Sequence, residues 1–152
     1  DKVRGVGHFN AKKQPMKNIE TISVFYKKQP TYNPQMRDRD KPRTSKNNNT
    51  QQIYGKSQDN FVGDTLDKKY PLTLLTYSKS AKEDMMYHSS QKPVDLLEYF
   101  INTYTNENDL VLDFTMGSGS TGVACKLLHR RFIGIELENT YYETAGRRIK
   151  SA

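Results

Sequence analysis

The chain has 152 residues, of which 34% are apolar and 27% charged, with one cysteine, no tryptophan and a formal charge of +7. That length builds one ordinary domain with a modest core. A single cysteine excludes a disulfide framework and a cysteine-rich zinc site, and no apolar run nears the roughly 20 residues of a membrane helix. A protein with these properties is expected in a reducing cytoplasm, with neither a membrane nor a metal as partner.

Residues 1–18 carry no helical or strand period. In residues 19–26, Ile22, Val24 and Tyr26 alternate with Thr21, Ser23 and Phe25, which predicts a β-strand. Lys27, Lys28, Pro30, Asn33 and Pro34 end it. From residue 35 to about 57, Asn, Gln, Lys and Arg dominate and apolar residues are nearly absent. Such a stretch cannot offset its own ordering entropy, and it is expected to be a mobile loop or an arm that orders on a partner. Residues 70–77 (YPLTLLTY) predict a second short strand, followed by charged linker residues up to Met86.

The last part of the chain is more regular. Pro93 stands where a helix can begin, and Val94, Leu97, Phe100, Ile101 and Tyr104 follow at helical spacing. Residues 106–109 (NEND) break that helix. Leu110, Val111 and Leu112 predict a buried-type strand ending at Asp113, and a glycine-rich loop from Met116 to Gly119 leads into a helix from Ser120 to about Leu128. Residues 132–135 (FIGI) predict the next strand, ending at Glu136. Asn139 is expected to cap a final helix through Ile149, with Tyr142, Ala145 and Ile149 inward. Strand, helix, strand and helix in short succession imply a βαβ unit with parallel strands.

The charge is unevenly spread. Residues 1–60 hold 13 Lys/Arg against 5 Asp/Glu, a net of +8, whereas residues 61–152 hold 11 against 12, a net of −1. The one-sided excess suggests a polyanion, nucleic acid first, as partner of the basic part, the alternative being a solvated basic face.

Residues 117–122 (GSGSTG) form a G-x-G-x-x-G string between a strand and a helix, and Glu136 lies 19 residues after Gly117. Glycines let a ligand approach the backbone, the helix N-terminus offers free N–H groups, and a carboxylate at the end of the second strand can accept ribose hydroxyl protons. A nicotinamide dinucleotide would set a pyrophosphate over the loop, beside the repelling carboxylate of Asp113. S-adenosylmethionine has a ribose, an ammonium group and no phosphate, and fits better. A glycine turn without a ligand is the third possibility.

These residues also carry a family resemblance. Residues 88–93 (HSSQKP) resemble the His-Pro-Thr-x-Lys-Pro element of β-order amino-group DNA methyltransferases, and residues 110–122 (LVLDFTMGSGSTG) resemble their Asp-Pro-Phe-x-Gly-Ser-Gly-Thr-Thr element. Residues 132–136 (FIGIE) are similar to the strand whose Glu binds ribose, and residues 11–28 to the segment that closes the catalytic half. Ser89 and Ser90 stand where the family has Pro and Thr, and Phe114-Thr115 where it has Pro-Phe. The resemblance implies an α/β fold, the Rossmann-like S-adenosylmethionine-dependent methyltransferase fold, here incomplete and with an irregular basic target-recognition insertion. In the family it is a doubly wound sheet with one antiparallel strand. It also implies methyl transfer from S-adenosylmethionine to adenine N6 or cytosine N4 in double-stranded DNA. Carried over, His88, Ser90, Gln91 and Lys92 flank the cofactor, with Lys92 and Pro93 fixing the adjoining helix. Asp113, Thr115, Met116, Gly117, Ser118, Gly119 and Ser120 cradle it, and Glu136 holds its ribose. Residues 1–28 then end the catalytic half, 29–87 form the target-recognition segment and 88–152 the cofactor-binding portion. Within the segment, Arg37, Arg39, Lys41, Arg43, Lys46 and Lys56 are the candidate phosphate contacts. Asn47, Asn48, Asn49, Gln51 and Gln52 are candidates for base edges, and Tyr32, Tyr54 and Phe61 for stacking.

The family's chemistry uses an Asp/Ser-Pro-Pro-Tyr element, which accepts the N–H bonds of the poorly nucleophilic exocyclic amine and stacks on the flipped base. Prolines stand at 15, 30, 34, 42, 71 and 93, and no two adjoin. No catalytic residue is therefore assigned. The element is expected upstream, making the chain the C-terminal part of a restriction-modification or phage-type enzyme: a fragment, a decayed gene product or half of a split enzyme. Alone it is expected to be inactive, with a homo-oligomer or a complementing catalytic half covering its exposed sheet edge. The rival readings are a non-catalytic nucleic-acid-binding relic and a nicotinamide-dependent oxidoreductase.

Overall fold

In chain order the elements are a 3-10 turn at His8–Asn10, β1 (Arg37–Asp38), β2 (Lys68–Lys69), α1 (Val94–Tyr104), β3 (Leu110–Asp113), α2 (Ser120–Leu127), β4 (Arg131–Gly134) and α3 (Asn139–Ser151). They are seen in a computed structural model that describes residues 8–41, 67–77, 87 and 90–152. The chain divides into two units, with the boundaries at 33/34 and 73/74. The sequence instead suggested divisions at 28/29 and 87/88.

In the unit of residues 34–73, β1 pairs antiparallel with β2, Arg37 opposite Lys69 and Asp38 opposite Lys68. Arg39 Nε donates to the Lys68 carbonyl at 3.0 Å and holds the short ribbon shut.

The other unit is built on a β3–α2–β4 crossover. β3 and β4 are parallel, with Leu110 opposite Arg131 and Asp113 opposite Gly134. α2 packs against both strands and against α1 and α3. Ile101, Ala124 and Cys125 form the buried centre, with Val94, Leu97, Val111, Leu128 and Phe132 packed on it. The apolar spacing read in α1 is therefore the spacing of its core face. On β3 and β4 the alternation puts Val111 and Phe132 inward, and leaves Leu110, Leu112 and Ile133, with Ile135 just beyond β4, about half exposed on the opposite face.

The ends of the elements have local causes. α1 stops where Thr105 turns to extended backbone, and Asn106 and Asp109 close a turn by Asn106 N–H donating to Asp109 Oδ2 at 2.8 Å. α2 ends in a Schellman motif. His129 is left-handed (φ 58°), Arg130 N–H donates to the Cys125 carbonyl at 2.8 Å, and His129 N–H donates to that of Lys126 at 3.2 Å. The Arg130 guanidinium then ties this end to α1, donating to the Leu128 carbonyl and to the carbonyl and hydroxyl of Thr105.

Four expectations change. Residues 19–26 form no strand, because a strand exists only as a hydrogen-bonded pair and no ladder partner stands beside this segment among the described residues; Phe25 is 92% exposed. Residues 70–77 are irregular for the same reason, the paired residues lying just upstream at Lys68–Lys69. The cap of α3 is Glu138 rather than Asn139, its carboxylate accepting from Thr140 N–H and Oγ1–H. Tyr142 is exposed, and the inward row runs through Ala145 and Ile149 with Tyr141 half-buried beside it. A third strand, and the antiparallel strand the resemblance implies, are not among the described residues of the β3–β4 sheet.

Candidate functional site

β3 and β4 are parallel, so their C-terminal ends lie side by side, the place where open α/β sheets bind ligands. The ladder continues past the last paired residues: Ile135 N–H donates to the Asp113 carbonyl at 2.9 Å, and Met116 N–H to the Ile135 carbonyl at 3.0 Å. The glycine loop is thereby stitched to the end of β4.

Two carboxylates frame this edge. Asp113 Oδ1 accepts from Thr115 N–H at 3.1 Å and Oδ2 accepts from the Thr121 hydroxyl at 2.6 Å. Glu136 Oε2 accepts from Gly117 N–H at 2.8 Å, and its Oε1 from Glu138 N–H at 3.0 Å. Between them the loop takes backbone conformations that suit glycine, with φ of 53° at Gly117 and 82° at Gly119. A Cβ at Gly119 would sit 2.7 Å from the Ala145 Cβ, so the loop is also seated directly on α3.

The remaining candidates separate into two groups. Thr115 is exposed beside the loop, and Met116 is buried against Gly134, where an added Cβ would collide with its sulfur. Ser118 and Ser120 are turned into the protein, Ser118 being only 3% exposed. The Ser118 hydroxyl donates to Gln91 Oε1 at 3.1 Å, and Gln91 Oε1 also accepts from Tyr87 N–H at 3.1 Å. Ser90 is exposed next to it. The Lys92 ammonium pairs with the Glu20 carboxylate at 3.0 Å, tying residue 20 to the start of α1. His88 lies outside the described residues. Thr121, Arg148 and Tyr87 are part of this constellation and were not read from the sequence. Thr121 occupies a position that the G-x-G-x-x-G pattern leaves open, and nothing local marks Arg148.

Among the cationic candidates, Arg37 and Lys41 are exposed and Arg39 is committed to the ribbon. Lys68 and Lys69, which no sequence pattern marks, pair with Asp38 and Asp40 at 3.6 and 3.4 Å. Arg43, Lys46 and Lys56 lie outside the described residues, as do the Asn/Gln cluster, Tyr54 and Phe61. Tyr32 packs against Tyr104, with ring centroids 6.2 Å apart. Among the described residues no group of His, Cys, Asp or Glu is arranged to hold a metal, and no helix is long and apolar enough to cross a membrane.

The profile of a family described as DNA methylase matches residues 2–147. The chain belongs to the DNA methylase family. Its relatives in that family include the type II methyltransferase M2.DpnII of Streptococcus pneumoniae, 48% identical over 42% of this chain and 24% of that protein. The type II methyltransferase M.HpaI of Haemophilus parainfluenzae is 34% identical over 66% of this chain and 31% of that protein. The chain thus spans 24% and 31% of the length of these two relatives. Among solved structures, the M1.HpyAVI–SAM complex aligns with a TM-score of 0.45 at 36% identity, covering 56% of this chain and 52% of that one. The PvuII DNA methyltransferase (cytosine-N4-specific) aligns with a TM-score of 0.48 at 28% identity, covering 51% and 31%.

Proposed function

We propose that the chain binds S-adenosylmethionine at the strand ends and forms the cofactor-holding part of a DNA methyltransferase acting on the exocyclic amine of adenine (N6) or cytosine (N4). The observation that carries this reading is the pair of carboxylates, Asp113 and Glu136, braced by backbone N–H groups on either side of a left-handed glycine loop. The donor set suits the cofactor: two acids for a ligand bearing hydroxyls and an ammonium group, and no basic residue from Met116 to Thr121 to favour a pyrophosphate. The family of the chain and the cofactor complex of M1.HpyAVI support the same assignment.

When bound, S-adenosylmethionine supplies a methyl group on a positively charged sulfur. The chain's own residues hold and orient. Glu136 accepts from the ribose hydroxyls, in a position fixed by Gly117 and Glu138. Asp113 pairs with the ammonium end, its carboxylate aimed by Thr115 and Thr121. Ser90 and Gln91 flank that end, Lys92 fixes the start of α1 beside it, and Met116 packs beneath the loop. Ser118 and Ser120 hold the loop from below.

The amine-binding groups are assigned to another polypeptide segment or a second chain, since no two prolines adjoin in this one. Its docking place is the apolar face of Leu110, Leu112, Ile133 and Ile135, which stands about half exposed. Double-stranded DNA is the partner of the basic segment, through Arg37, Lys41, Lys68 and Lys69 and the residues Arg43, Lys46 and Lys56. The setting is cytoplasmic. The test is amide shift mapping on the 152-residue chain: S-adenosylmethionine is expected to shift Gly117, Ser118, Gly119 and Glu136, and NADH to leave them in place. Shifts with NADH alone would overturn the reading.

A further inference from the structure

Gly117 and Gly119 flank Ser118, and glycine imposes little steric preference, so the loop conformation is not set by its own sequence. Something outside the loop must fix it. Arg148, in the last turn of α3, places Nη1 2.6 Å from the Ser118 carbonyl, 3.0 Å from the Ser118 hydroxyl and 3.3 Å from the Ser120 hydroxyl. The same guanidinium lies over the Tyr87 ring, 4.8 Å from its centroid. Tyr87 and Ser118 in turn meet at Gln91 Oε1, which accepts from both. One planar cation therefore touches the glycine loop and the residue preceding the His88–Gln91 stretch. Its reach is set one turn earlier, where Ala145 is seated against Gly119.

We propose that Arg148 is the positioning residue of this site, clamping the glycine loop at Ser118 and locking it to Tyr87 and Gln91. It touches no ligand atom in this role and acts through the loop. Lysine cannot replace it, because its ammonium ends one bond short of Nη1, the nitrogen that bonds both serines, and has no flat face to lie on the Tyr87 ring.

The claim about the loop does not depend on what binds there; its consequence for S-adenosylmethionine rests on the proposed function. The experiment is amide hydrogen exchange on the ligand-free 152-residue chain, wild type against Arg148→Lys and Arg148→Ala, followed by titration with S-adenosylmethionine. In Arg148→Lys the amides of Gly117, Ser118 and Gly119 are expected to exchange roughly tenfold faster or more, while those of α1 and β4 stay unchanged, as the loss of a charged hydrogen bond requires. Cofactor affinity should weaken by a similar factor. In Arg148→Ala, millimolar guanidinium should restore loop protection and affinity together; should that variant not fold, Arg148→Lys decides alone. Unchanged loop exchange in Arg148→Lys overturns the proposal, as does a uniform rise that includes α1 and β4. Faster loop exchange in a chain whose wild type binds no S-adenosylmethionine sustains the clamp and removes the cofactor reading instead.

Discussion

The carboxylate of Glu136 accepts the backbone N–H of Gly117 at 2.8 Å, so the second residue beyond β4 holds the loop after β3. One hydrogen bond thereby fixes both the Glu136 carboxylate and the glycine loop beside it. The parallel pairing of β3 with β4 makes this possible, because it places the two strand ends on one edge.

The close packing around the glycines predicts substitutions of opposite sign. A Cβ on Gly122 would fall against Ile149 Cδ1 and 2.7 Å from Phe132 Cε1, whereas one on Gly146 would meet nothing within 4 Å. Both glycines are in helices, where alanine is favoured by about 1 kcal/mol. Gly146→Ala should raise the thermal midpoint. Gly122→Ala should lower it, overpacking costing about 1–3 kcal/mol. Thermal melts of the two variants check this, and a rise in both would show that α3 is not seated on α2 as described.

His129 occupies the left-handed position of the Schellman motif at φ 58°, where a Cβ is strained. Its backbone N–H and that of Arg130 carry the cap, not its imidazole. His129→Gly should therefore stabilise the chain, by up to about 1 kcal/mol after the entropy of an added glycine is subtracted. Urea unfolding measures it, and a loss of stability would contradict the cap.

How much of this was legible depended on the range of the cause. α1, β3, α2 and β4 were readable because their apolar periods are local and match their buried faces. That Asp113, the glycines and Glu136 meet at one edge was readable because spacing along a βαβ unit fixes where strand ends meet. Residues 19–26 show the limit: their alternation says what a strand would bury, and pairing needs a neighbour that the pattern does not name. Arg148 and Thr121 were missed for a related reason. Arg148 reaches Ser118 across 30 residues, and Thr121 reaches Asp113 from the first turn of the next element. Neither contact has a sequence period.

Cys125 is completely buried, and burial pushes its thiol up to about 11 from 9.0, the nearby Arg130 charge offsetting part of the rise and Asp113 adding to it. A raised acid loses stability with rising pH: the unfolded thiol ionises near 9 while the folded one keeps its proton to about 11. Below pH 9 the contribution is intact. Between the two values stability should fall by about 1.4 kcal/mol per pH unit more than in Cys125→Ala. Alkaline unfolding curves of the two proteins check this; parallel curves would contradict the burial of the thiol.

Binding of the basic segment to double-stranded DNA should follow salt steeply, since each phosphate contacted contributes a slope of roughly −0.9 in log affinity against log salt. Lys41 is exposed, and Lys41→Ala should lower the slope by about one unit without changing sequence preference. Fluorescence anisotropy across a salt series measures both. A flat dependence would remove phosphate contact from the account.

Equilibrium dialysis of labelled S-adenosylmethionine against the 152-residue chain asks whether the edge between Asp113 and Glu136 holds this compound. One molecule should be retained per chain, with affinity weakened roughly ten- to a hundredfold in Glu136→Gln, the loss of a charged hydrogen-bond acceptor. No retained label with the folded wild-type chain, or equal retention by wild type and Glu136→Gln, would contradict binding at that edge.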